Sequence, residues 1–72
     1  MTQKDFGKFY ADLSSGEKGL FTAFISVRLG DSPHSWQHKL LGWSKGVFQK
    51  RPMSPIIKSE LTTIIRQELW KR

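Results

Sequence analysis

The 72-residue chain has no cysteine, so it can build neither a disulfide framework nor a thiolate metal cluster. It has no apolar run approaching the length of a membrane-spanning helix. Its first stretch, MTQKDFGKFYADL, is broken by polar and charged groups too often to serve as the apolar segment of a secretory signal. A cytoplasmic location is the expectation. No segment alternates apolar and polar residues over a useful length, and neither Asn-Gly nor Asp-Gly occurs, so strand and hairpin signals are missing. Internal repeats and low-complexity segments are missing too. The most informative absence is local: between Asp31 and Glu60 there is no acidic residue.

That acid-free window holds Lys39, Lys45, Lys50, Arg51 and Lys58, together with His34 and His38. Outside it the chain is nearly balanced, with seven basic and six acidic residues. The formal charge of +6 therefore belongs almost wholly to the middle of the chain and the start of its last segment. A cationic field without counter-charges attracts polyanions, which makes nucleic acid the leading partner class for a basic protein of this kind.

The length fits one domain, residues 1–72, burying roughly 60% of the surface its unfolded form exposes. Four helical segments are expected, giving an all-α fold: a small single-domain bundle of four helices. The first runs from Thr2 or Gln3 to Leu13, with Phe6, Phe9, Tyr10 and Leu13 on one stripe and Asp5 in the first turn. The second starts at Ser14 or Ser15, where Ser14 and Glu17 have capping-box spacing. Its apolar positions, Leu20 to Leu29, cover more than one face, which predicts the most buried helix of the four. Gly30 is suited to the left-handed turn that ends it.

The third helix opens at Ser32-Pro33, a cap followed by a residue preorganised for the first helical position. Trp36, Leu40 and Trp43 form an inward stripe, and His34, His38, Leu41 and Lys45 an opposite one. The helix is expected to fray near Gly42 or Gly46. In the connector 46–53, Val47 and Phe48 are expected under the core, and Lys50 and Arg51 in water. Ser54-Pro55 opens the last helix, with Ile57, Leu61, Ile64 and Ile65 facing inward. Trp70 could cap the core edge or stand exposed as a contact residue.

Enzymatic chemistry is not expected. There is no nucleophile–base–orienter set and no paired-carboxylate site, and so small a helical core leaves little room for a ligand cavity. Neither a small-molecule ligand nor a cofactor is expected. His34 and His38 have the i, i+4 spacing that can grip zinc, but no cysteine is present, Asp31 is the one acid nearby, and no HExxH glutamate accompanies them. No metal site is expected. Membrane-surface binding is disfavoured because the apolar faces are needed for a shared core.

The segment ISVRLGDSPHSW places small Ser26 four residues before Gly30 and apolar Trp36 six after it. LLGWSKG then leads to RPMSP. Over residues 20–55 this arrangement resembles the helix-turn-helix of phage-repressor and Cro-like DNA-binding proteins. It departs from their pattern in the bulk of Trp36, in Gly42 inside the helix, and in having no arginine on the outer face. The resemblance implies a central helix-turn-helix over about residues 17–45, with the third helix (33–45) in the major groove. Ser32, His34, Gln37, His38 and Leu41 would then face base edges. Gln37 would suit adenine, and Leu41 a thymine methyl. Lys39, Lys45, Lys50, Arg51 and Lys58 would grip phosphates.

The expected function is that of a small bacterial or phage regulator of transcription or of a mobile element, bound to double-stranded DNA. A homodimer or a protein partner would be needed for tight binding. The alternative is a basic helical interaction module docking on an acidic protein, without direct DNA binding. That reading predicts a contiguous exposed apolar patch, for which Leu41, Phe48, Leu69 and Trp70 are the candidates.

Overall fold

The free N–H groups at the start of a helix need acceptors, and this chain places a hydroxyl residue at the start of each of its four helices, three of which form the capping bond. The computed structural model describes residues 2–47 and 53–71. Within them lie α1 (Gln3–Ala11), α2 (Ser15–Leu29), α3 (Pro33–Ser44) and α4 (Pro55–Arg66), and a 3-10 turn over Leu69–Lys71. Thr2 and Asp5 form a reciprocal capping box on α1, and Ser14 and Glu17 form one on α2. Ser32 accepts from the Ser35 N–H at 3.1 Å to cap α3. Ser54 occupies the corresponding place before α4 but makes no side-chain capping bond. There is no strand among the described residues, and no helix of theirs is long and apolar enough to cross a membrane.

The core draws on every element. Phe6 and Tyr10 come from α1, Phe21 and Ile25 from α2, and Trp36, Leu40 and Trp43 from α3. Leu61 and Ile64 come from α4, and Trp70 from the terminal turn. Aromatic edges fill much of this space. Phe9, Phe21 and Trp70 meet edge to face, with centroids 5.4, 6.2 and 5.7 Å apart. Trp70 therefore closes the core and is not a contact residue.

The closest crossing is that of α1 on α3. Phe6 lies 6.4 Å from the Trp43 ring, and Gly7 sits directly on the α3 backbone. A Cβ on Gly7 would overlap the Ser44 nitrogen and the Trp43 carbonyl carbon. Glycine is there for space, a requirement that no local pattern announces.

Several sequence expectations need correction. α1 stops at Ala11, two residues early, and Leu13 is half-buried beyond it. α2 is not buried all round: Leu20, Ala23 and Val27 face outward, with Val27 89% exposed. Its surplus apolar residues exceed what one small core can cover. α3 passes through Gly42 and ends at Ser44. There the Val47 N–H donates to the Gly42 carbonyl at 2.8 Å and the Gly46 N–H to the Trp43 carbonyl at 3.1 Å. This is a Schellman stop, with Gly46 at φ +84° as its left-handed residue. Val47, expected under the core, is 67% exposed. Phe48 lies outside the described residues.

Candidate nucleic-acid interface

A helix can present a face to a partner only if its other face and both ends are held. α3 meets that condition. Trp36, Leu40 and Trp43 anchor its inner stripe in the core. Its N-terminal end is held by the turn Gly30–Asp31–Ser32. Gly30 has φ +88° and ψ 179°, a conformation essentially restricted to glycine, and Asp31 follows at φ +72°.

The turn is tied to both helices. The Gly30 N–H donates to the Ser26 carbonyl at 3.0 Å, and the Trp36 indole N–H donates to the Gly30 carbonyl at 2.8 Å. Thus Ser26, Gly30 and Trp36 are joined by hydrogen bonds and not only by spacing. The indole of Trp36 has a use here: valine or isoleucine could not donate this bond.

Asp31 organises the rest of the turn. Its carboxylate accepts from Lys39 Nζ at 2.8 Å, the Ser32 N–H at 2.9 Å and the Ser35 hydroxyl at 2.9 Å. The lysine contact, helped by the other two bonds, holds the Asp31 pKa down to about 2. Lys39 Nζ also lies 4.8 Å from the centre of the Trp36 ring. Asp31 lies immediately before the acid-free window, and the fold brings it onto a lysine within it. Lys39 is thus half-buried and engaged, where the sequence had it among the free phosphate-gripping cations.

The outward side of α3 carries His34, Gln37 and His38, and Lys45 follows as its C-cap residue, all exposed. His34 Nε2 and His38 Nε2 are 3.0 Å apart, with the rings edge to face. Ser32 is exposed at the N-terminal end, with its hydroxyl oxygen accepting the capping bond. Leu41 is only half-exposed and packs against the core. Lys58 is exposed on α4 beside Thr2, Gln3 and Met53, lining a shallow hollow of about 240 Å³ that none of the α3 candidates lines. Lys50 and Arg51 lie outside the described residues.

The structure therefore brings His34, Gln37 and His38 onto one helix, with Ser32 and Lys45 at its two caps. It turns Leu41 partly inward and ties Lys39 to Asp31. Sequence reasoning missed Asp31, whose signal was its place in the turn between a glycine and a capping serine. Gly7, which sets the seating of α3, gave no signal. Comparison with protein-family models, curated proteins and solved structures finds no match to this chain.

Proposed function

We propose that the protein binds double-stranded DNA with the outer face of α3 in the major groove. The observation that carries this reading is an exposed stripe of imidazole, amide and ammonium groups on a helix whose opposite face is locked into the core. Gln37 has the donor–acceptor pair that reads adenine, and the two imidazoles supply donors or acceptors to base edges. Lys45 lies at the end of the same stripe, placed for a phosphate, and Ser32 lies at its start. Lys39 is set aside for structure, because reaching a phosphate would break its bond to Asp31. Leu41 is a weaker candidate for a thymine methyl than its spacing implied. A single module with so few cationic contacts would bind modestly, which leaves room for a second copy or a partner protein.

The test is fluorescence anisotropy with a labelled mixed-sequence duplex at low and moderate salt. Affinity should fall about tenfold to a hundredfold as salt rises from dilute to physiological, as phosphate contacts require. Lys45→Glu should weaken binding to every duplex. Gln37→Ala should leave non-specific binding intact and relax preference at one base pair of a selected site. Absence of binding at low salt would sink the reading.

One observation favours the second reading, a protein-interaction module. Of the patch expected for it, Trp70 is buried, Leu41 and Leu69 pack against the core, and Phe48 lies outside the described residues. Instead, Leu20, Ala23 and Val27 line the outside of α2. An exposed apolar row of this kind is a feature of contact surfaces. Capture of a defined acidic protein by a chain that ignores DNA would support this alternative.

A further inference from the structure

Two imidazoles one helical turn apart are neighbours on one face of a helix. Here the geometry points to a chelating site for a late divalent transition-metal ion at His34 and His38, with Cu2+ preferred. The inference does not depend on the DNA-binding reading. It departs from the sequence expectation, which considered a zinc site needing further protein ligands.

The argument is the distance between the nitrogens. His34 Nε2 and His38 Nε2 are 3.0 Å apart on a regular stretch of α3, and both side chains are exposed. That separation shows that both ring nitrogens can come within reach of one ion, and imidazole suits late transition metals. The ordinary ordering of divalent affinities at nitrogen ligands places Cu2+ first. The rings reach the chelating pose by rotating about the soft terminal side-chain torsion, which aims both lone pairs at one outward point.

The pair is otherwise uncommitted. Its nitrogens meet each other at hydrogen-bond distance. Among the described residues no third histidine or carboxylate joins them, so water would complete the coordination sphere. Asp31, near in sequence, is held by Lys39, Ser32 and Ser35. The positive end of the α3 dipole opposes a cation at His34, but this effect is screened and confined to the first turn. Two metal–nitrogen bonds outweigh it.

The test is a Cu2+ titration of the untagged protein near neutral pH in a non-coordinating buffer. It is read by the visible copper absorption band, by electron paramagnetic resonance and by thermal unfolding. One equivalent should bind with two imidazole nitrogens in the spectrum, and binding should raise the Tm because only the folded helix holds both rings in place. His34→Gln and His38→Gln should each weaken this binding by about a hundredfold, since either loss converts a chelate into a single ligand. Both side chains are exposed, and helical circular dichroism checks that the variants fold. Copper binding and a Tm rise unchanged in the double variant would overturn the assignment. A wild-type affinity for Zn2+ above that for Cu2+ would overturn the preference for Cu2+.

Discussion

Gly7 and Gly42 are both glycines inside helices, yet they answer to different constraints. A methyl group on Gly7 has nowhere to go, because the α3 backbone at Trp43 and Ser44 occupies its place. Gly7→Ala should destabilise the protein by about 3 kcal/mol, as forced separation of two packed helices does. At Gly42 an added Cβ would meet the Val47 carbonyl oxygen at 3.4 Å and the Val47 Cβ at 3.9 Å, both ordinary contacts. Gly42→Ala should therefore stabilise by about 0.5–1 kcal/mol, the helix-propensity gain. Urea unfolding of the two variants checks both signs at once.

Asp31 and Asp5 set a second residue-scale expectation. The Asp31 pKa is held at about 2, first by Lys39. That of Asp5 is lowered chiefly by the Thr2 backbone N–H. A carboxylate whose folded pKa lies below its unfolded value near about 3.9 contributes fully above that value and is lost as pH falls towards the folded one. These two groups should leave the Tm level down to about pH 4 and lower it between about pH 4 and pH 2. Asp31→Asn should remove part of that acid-side slope in melts taken across the range.

Among the elements, the terminal 3-10 turn has a role out of proportion to its three residues. It delivers Trp70 between Phe9 of α1 and Phe21 of α2. Trp70→Ala should cost about 3–5 kcal/mol, the range for emptying a large buried aromatic site. Deleting a residue that merely capped an exposed edge would cost far less. The four helix starts show how far local chemistry reaches. Hydroxyl caps, prolines and glycine stops are short-range devices, so Thr2, Ser14, Ser32-Pro33 and Gly30 could be read directly. Ser54 made the same announcement without forming the capping bond.

On the scale of the whole molecule, charge and apolar surface are distributed differently from their order along the chain. The acid-free window loses one of its cations to Asp31, and Arg28 of α2 reaches Glu60 of α4 at 3.7 Å. Leu20 and Val27, which looked like core, stand 61% and 89% exposed. Leu20→Glu with Val27→Glu should therefore change stability by no more than about 0.5–1 kcal/mol in chemical denaturation. Any self-association through this row should disappear from sedimentation profiles of the same variant.

The chain's sequence by itself determined that it is helical, where its helices begin, and which side of α3 turns inward. Those properties depend on neighbours within one or two turns, and periodicity and capping express them fully. Only the tertiary structure decided which apolar residues are covered, because α2 offers more of them than the small core has room for. It also decided which lysines remain free, because the acid that engages Lys39 sits one residue outside the basic window and reaches it only once the turn has closed. The seat of α3 was decided there too, since the space Gly7 must leave empty exists only when two backbones meet.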